Sequence, residues 1–291
     1  MSGSKRRSTR AERGAAATGP RAGTYSIDTG TAELEPDPFH PNGWLLRINR
    51  VQSSHVVIGQ PEELAFEYMR WIAAGLQAWL DLPGTPDPAR LRVTHLGGGA
   101  CSLARHLAHV HPGSRHTVVE LDAKLAEYVR EWFDIPRAPT VKIRVGEARA
   151  VTEGFAEASR DVIIRDVFAG AVTPKPLVSA EFFASAQRAL TPGGLLILNC
   201  GDTRERAGVR AEIAGLLEVF GHVAAIADPP MLKGRRCGNI ILLASDAPLP
   251  RADSDDAARI ARVLLAGAVP AQYKDEVWVR RLAAGAAPTC D

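Results

Sequence analysis

Between residues 91 and 244, short apolar runs alternate with stretches in which apolar side chains recur every three or four positions. Continuous apolar runs bounded by turn residues read as buried strands, and the three-to-four period reads as amphipathic helix. The predicted strands are 91–96, 116–121, 141–145, 162–166, 195–199, 223–226 and 239–244. Predicted helices fall between them, near 102–110, 123–133, 179–190 and 204–219. Alternation at this spacing predicts an α/β fold, a doubly wound, mostly parallel seven-stranded sheet with helices on both faces. The last two strands are joined by 228–238, which has no helical pattern. A crossover to a parallel neighbour needs about a dozen residues or more, so this final pair is expected to be antiparallel.

The chain before residue 91 has a different texture. Residues 25–60 predict a small β region: the apolar runs at 44–48 and 55–58 are bounded by Pro41-Asn42-Gly43 and by Gly59-Gln60-Pro61. A helix is then predicted from Pro61 to about Leu80, with Leu64, Tyr68, Trp71, Ile72, Leu76 and Trp79 at helical spacing. Pro83, Gly84, Pro86 and Pro88 end it and mark the clearest boundary. The expected organisation is a disordered basic tail (1–24), a small β region plus helix (25–88), a nucleoside-binding α/β domain (89–250), and a C-terminal helix and tail (251–291), with that helix at 255–265.

Composition narrows the function classes. The 291 residues carry 35 Lys+Arg against 33 Asp+Glu, so no global charge marks a specific nucleic-acid binder. The tail holds Lys5, Arg6, Arg7, Arg10, Arg13 and Arg21 against Glu12 and reads as a solvated leader. No apolar run approaches the ~20 residues that span a bilayer. The four cysteines, at 101, 200, 237 and 290, lack the close spacing of a zinc or redox motif. They read as reduced residues of a cytoplasmic protein, mostly in the core, with Cys290 exposed.

Three strand ends carry the candidate chemistry. The first strand runs into Gly97-Gly98-Gly99-Ala100-Cys101-Ser102 and then a helix. Glycines there admit a ligand close to the backbone, and the helix start offers free N–H groups. The third glycine of a dinucleotide fingerprint is missing, which disfavours a nicotinamide cofactor. The second strand ends in Val118-Val119-Glu120-Leu121-Asp122, with Glu120 21 residues after Gly99. An acid at that strand end accepts from both ribose hydroxyls; the alternative is a helix cap at Ala123. The third ends in Gly146-Glu147-Ala148, an acid placed for an adenine amino group beside a small residue, or else a helix-start acid favoured by the dipole. Glycines, a ribose acid and an adenine acid together describe an S-adenosylmethionine-type fold.

With these motifs in order, the chain resembles the spermidine synthase family (polyamine aminopropyltransferases), in particular an actinobacterial spermidine-synthase-like branch. The resemblance runs from about Gly43 to Ser245. It rests on Gln52, the glycine turn, 118–122, Gly146-Glu147-Ala148, Asp161-Val162-Ile163-Ile164-Arg165-Asp166, Leu190-Thr191-Pro192-Gly193-Gly194 and the Gly238 to Ser245 strand. It implies a methyltransferase-like Rossmann fold and decarboxylated S-adenosylmethionine as a co-substrate, with no tightly bound cofactor and no metal. It also implies a small-molecule amine as acceptor and a homodimer. By the match, Gln52, Gly97, Gly98, Gly99, Glu120, Asp122, Glu147 and Ala148 bind the donor. Asp166 matches the first aspartate of an Asp-x-x-Asp motif assigned to deprotonating the attacking amine, which needs a free lone pair.

The chain departs from that pattern on the acceptor side. Ala100 and Ala169 stand where the family carries aspartates, and Phe66-Glu67-Tyr68 replaces a Tyr-His-Glu run. Pro229-Pro230-Met231-Leu232-Lys233-Gly234-Arg235-Arg236 replaces a Pro-Thr-Tyr-Pro run, and is expected to bring basic side chains to the acceptor border, or else to turn outward as a solvated loop. A dicationic amine needs paired carboxylates to leave water. Three readings therefore stand: an aminopropyltransferase with an atypical acceptor, an S-adenosylmethionine-dependent methyltransferase, and a non-catalytic nucleoside-binding homologue. His106, His109 and His111 read as surface residues. No Gly-x-Ser-x-Gly elbow or Walker loop is present.

Overall fold

The computed structural model describes residues 19–170 and 172–291. The basic tail lies outside the described residues up to 18, and its end is not tail: Gly23 and Thr24 already belong to a strand. Four antiparallel strands, β1 (Gly23–Ile27), β2 (Gly30–Pro36), β3 (Gly43–Ile48) and β4 (Val51–Val57), pair in sequence order. Alternation points Ala32, Leu34, Leu46 and Val56 inward. Asn49 and Arg50, both with positive φ (50° and 69°), close the β3–β4 hairpin, as its right-handed twist requires.

The helix α1 (Glu67–Leu80) starts six residues later than its apolar period predicts. The Arg70 guanidinium donates to the carbonyls of Leu64 (2.5 Å) and Ala65 (2.7 Å), and Phe66 is extended, so the segment before it is held out of the helix. Trp71, Ile72, Leu76 and Trp79 are buried, and α1 packs on the main sheet and not on the N-terminal one. The grouping of this helix with residues 25–60 is thereby corrected.

The α/β part follows as β5 (Arg92–Leu96), α2 (Ser102–Val110), β6 (Arg115–Glu120), α3 (Ala123–Trp132), β7 (Val141–Val145), α4 (Ala148–Glu153), β8 (Arg160–Arg165), α5 (Ala180–Ala189), β9 (Leu190–Asp202) and α6 (Ala207–Val219). It ends with β10 (His222–Ala227), α7 (Pro229–Leu232), β11 (Gly238–Ser245), α8 (Asp255–Leu265), β12 (Gln272–Lys274) and α9 (Glu276–Ala283). The sheet order is β12-β10-β11-β9-β8-β5-β6-β7. Strands β7, β6, β5, β8 and β9 are parallel, and β10–β11 are antiparallel, as their short connection requires. Among the described residues the sheet has eight strands, not seven. The three residues of β12 are too short and too polar to announce themselves, and pair only through Ala225–Ala227. The last forty residues are therefore more than a helix and a tail, and Ala180 N donates to Thr289 O.

Two cores result. One gathers both sides of the main sheet with α1, α5, α6, α8 and α9. The other joins the inner face of the N-terminal sheet to α2 and α3, through Leu34, Leu46, Ala104, Val129 and Trp132. The small sheet is thus bolted over the start of α2, beside the glycine turn. His111 is buried rather than at the surface.

Candidate functional site

A cavity of about 1300 Å³ opens at the carboxyl ends of the parallel strands. From β5 the strand order runs one way to β6 and the other way to β8, and ligands of open α/β sheets sit at that divergence. Gly97 marks it: with φ +91°, a Cβ there would lie 2.1 Å from the carbonyl oxygen of Asp166. Gly99, at φ +47°, faces β4, where a Cβ would meet Ser54 Oγ at 2.5 Å. The turn is clamped from that side. Ala100 N donates to Ser54 Oγ (2.9 Å) and Ser102 Oγ to His55 O (2.8 Å).

The expected donor side comes together around this turn. Gln52 on β4, the three glycines, Glu120, Glu147 and Ala148 all line the cavity. Glu120 ends β6 and its carboxylate accepts from Gly98 N (3.0 Å), Gly99 N (3.2 Å) and Asp122 N (3.0 Å). Burial raises its pKa, and these N–H bonds work against that rise. Glu147 caps α4 by accepting from Arg149 N (2.9 Å) and Ala150 N (2.7 Å), while its exposed carboxylate borders the cavity.

Asp122 is placed elsewhere. It is absent from the cavity lining among the described residues. Its Oδ1 accepts from Leu125 N (2.8 Å), capping α3, and its Oδ2 accepts from Thr29 N (2.7 Å) and Thr29 Oγ1 (2.8 Å). Both oxygens are spent on joining α3 to the N-terminal sheet, so the expectation that it contacts a ligand is corrected. Burial pushes its pKa up, but those hydrogen bonds prevail and hold it below the ordinary value.

Asp166 stands at the end of β8, its backbone N–H bonded to Leu96 O (2.9 Å). Tyr68 Oη donates to Oδ2 (3.1 Å) and Asn199 Nδ2 to Oδ1 (2.8 Å). Burial raises the Asp166 pKa; the Asn199 and Tyr68 hydrogen bonds and the nearby Arg165 partly restrain it. Burial and the carboxylate push the Tyr68 phenol well above its usual value, so it stays a donor. Arg165, fully buried behind the aspartate, is neutralised by Glu212 (2.6 Å) and bonds to Asn199 O (3.0 Å). Asn199 Oδ1 is buried with no protein partner and belongs to the cavity wall.

Sequence reading missed Tyr68, Asn199 and Ser54 as site residues. Tyr68 was legible only as a core position of a helix, and Asn199 as the polar end of an apolar strand. The acceptor border also differs from expectation. Lys233, Arg235 and Arg236 are not among the lining residues described; Arg236 turns back onto Asp228 (2.6 Å), which caps α7. Glu67 does not line the cavity either. Ala169 does, and Ala100 is fully buried under Ser54. Cys101 and Cys200 are buried, while Cys237, like Cys290, is exposed, and it stands at the cavity rim. Among the described residues the lining holds four carboxylates, Glu120, Glu147, Asp166 and Asp202, and no Lys or Arg.

Residues 78–224 match the spermine/spermidine synthase domain model. The chain belongs to that family. A crystal structure of a probable spermidine synthase from Corynebacterium glutamicum is 59% identical, covering 94% of this chain and 97% of that one at a TM-score of 0.90. A polyamine aminopropyltransferase of Vibrio vulnificus is 27% identical over 203 residues, 69% of this chain. The chain spans 63% of that relative's length. Human methyltransferase-like protein 13, in complex with SAH, is 25% identical over 69% of this chain and 91% of its own, at a TM-score of 0.54. The spermidine synthase fold is thus a methyltransferase-like Rossmann sheet, here with the small antiparallel sheet over its glycine turn. Among the described residues no helix is long and apolar enough to cross a membrane.

Proposed function

We propose that this chain transfers an aminopropyl group from decarboxylated S-adenosylmethionine to a small amine, a step of polyamine synthesis. The observation that carries the reading is the charge of the cavity: four carboxylates and no Lys or Arg in the described lining. Both reactants of such a transfer are cations. A donor with its carboxylate intact would find no side-chain cation there to pair with, which disfavours ordinary S-adenosylmethionine. An inert scaffold has no use for a desolvated aspartate held by two donors.

In this reading Glu120 accepts from the ribose hydroxyls, giving up its bonds to the glycine turn, and Glu147 accepts from the adenine amino group over Ala148. Gln52 holds the donor from the N-terminal sheet. The attacking amine sits against Asp166. Its nitrogen lone pair forms the new C–N bond at the methylene next to the sulfonium, the C–S bond breaks, and methylthioadenosine leaves with the electron pair. The proton released from nitrogen passes to Asp166. Tyr68 and Asn199 fix that carboxylate, and Asn199 Oδ1 is an acceptor for an amine N–H. The sulfonium is already a good leaving group, so alignment supplies much of the rate. With alanine at position 169 on the cavity wall, the acceptor end suits an amine carrying one charge better than a dication. The donor is a consumed co-substrate, the assembly a homodimer and the compartment the cytoplasm.

Calorimetric titration with decarboxylated S-adenosylmethionine, S-adenosylmethionine and methylthioadenosine, followed by product analysis with a panel of amines, tests this. Preference for the decarboxylated donor and formation of methylthioadenosine are expected; preference for the carboxylated donor, or no binding, overturns it. Asp166→Asn is expected to lower kcat about 10²–10⁴-fold while retaining donor binding.

A further inference from the structure

A second concavity, of about 310 Å³, lies where the start of α6, the end of α7 and α9 meet. Arg206, Arg210 and Arg281 line it, with Leu232, Trp278 and Leu282 as apolar walls. None of the three arginines is in an ion pair among the described residues, whose pairs are all made elsewhere. Arg206 Nη1 donates to Leu232 O (2.5 Å) and Arg210 Nη2 to Ala284 O (3.0 Å), so both guanidiniums are held by main-chain carbonyls alone. Their Nε–H groups are buried without a protein acceptor. Of the other arginines with an unpartnered Nε, Arg105 and Arg165 spend their charge on a carboxylate, Asp134 or Glu212, and Arg160 lies over the Phe155 ring (4.0 Å). The one carboxylate in the lining, Glu205, forms no ion pair with any of the three among the described residues.

We propose that this concavity binds the phosphate group of a small molecule. Three guanidiniums crowded into one hollow repel one another unless an anion sits among them. Planar guanidinium forks match a tetrahedral oxyanion in paired hydrogen bonds, which an ammonium does not. The apolar walls lower the local dielectric and so strengthen every one of these contacts. Backbone geometry presets the arrangement. Arg206 is in the left-handed region (φ 55°), and Gly234, also left-handed, lies against its guanidinium, with a Cβ there 3.4 Å from Nε and Nη2. Arg210 N bonds to Arg206 O (3.0 Å), which stacks the two arginines one turn apart. A bare phosphate and a phosphate ester satisfy the same donors; Trp278 and the remaining volume leave room for the ester's carbon part.

The test is calorimetric titration of the full chain with inorganic phosphate and with ribose 5-phosphate, at ionic strength held constant with chloride. Saturable binding of at least one is expected, and tighter binding of one assigns the source as free phosphate or ester. Arg281→Ala, whose side chain bonds to nothing described, and Arg210→Gln should each weaken it roughly tenfold or more. Circular dichroism confirms that each variant folds, so the result stands apart from the reading of the main cavity. No saturable heat from either ligand at millimolar concentration, or the same affinity in Arg281→Ala as in the parent, overturns the proposal.

Discussion

Asp166 is where side-chain chemistry and backbone geometry meet most closely. Its carbonyl fills the space that forces glycine at 97, and its carboxylate takes one hydrogen bond from Tyr68 and one from Asn199. Burial raises its pKa, and the two donors offset part of that rise by favouring the ionised form. Tyr68→Phe removes one of them. The Asp166 pKa should then climb further, and since the base must be ionised, the acid limb of the kcat/KM profile should move to higher pH. An unmoved limb would show that Tyr68 does not set this ionisation. Ala169 presents a methyl group to the cavity where the family carries an acid. Ala169→Asp adds a partner for a second ammonium, so affinity for a diamine should rise roughly tenfold, the worth of one charge-assisted hydrogen bond; competition with a monoamine measures it. Residue identities made the glycines, Glu120, Glu147 and Asp166 legible as candidates. They did not reveal Tyr68, because a tyrosine at helical spacing reads as packing whether or not its hydroxyl meets a carboxylate 98 positions away.

Elements show how the site is held. Strand β4 delivers Ser54 to the glycine turn and His55 O to the first residue of α2, so the N-terminal sheet fixes the glycine loop that borders the cavity. Asp122 performs the same joining at α3, with one oxygen as helix cap and the other on Thr29. Asp122→Ala should cost about 1–3 kcal/mol, a lost cap plus two hydrogen bonds to a charged group, measured by urea unfolding. The folded-state pKa of Asp122 is depressed, so its contribution is present above the unfolded carboxylate value. It is lost as pH falls through the depressed folded value. The difference between parent and variant should therefore shrink in acid. At this scale the strands and most helices were readable because buried runs and three-to-four periodicity survive in a single sequence. The late start of α1 was not, since Arg70 reaches back to two carbonyls that no pattern marks.

At the scale of the whole molecule, the cavity is a joint product of two sheets. Its lining runs from Gln52 on β4 through β5, β6 and β8 to Asp202 at the end of β9. A nucleoside bound there touches both cores and stabilises them together. Methylthioadenosine at a hundred times its Kd should add about 2.7 kcal/mol, seen as one melting transition shifted upward. A transition that splits, with one half unmoved, would show that the small sheet takes no part in binding.

The sequence by itself determined the alternation of strands and helices, the antiparallel final pair, and the candidate acids at three strand ends. Those are local properties: apolar period, connection length and turn chemistry act within a dozen residues. Only the tertiary structure decided which acids face the cavity. Asp122 and Glu120 are two positions apart at one strand end, yet one is consumed by Thr29 across the domain junction and the other lines the cavity. The basic run near 233–236 drew attention for its charge, but Arg236 turns to Asp228 and leaves the cavity wholly to carboxylates among its described ionised side chains. The sense in which a side chain points, and the partner that neutralises it, depend on contacts between segments far apart in the chain, which no single-sequence pattern records.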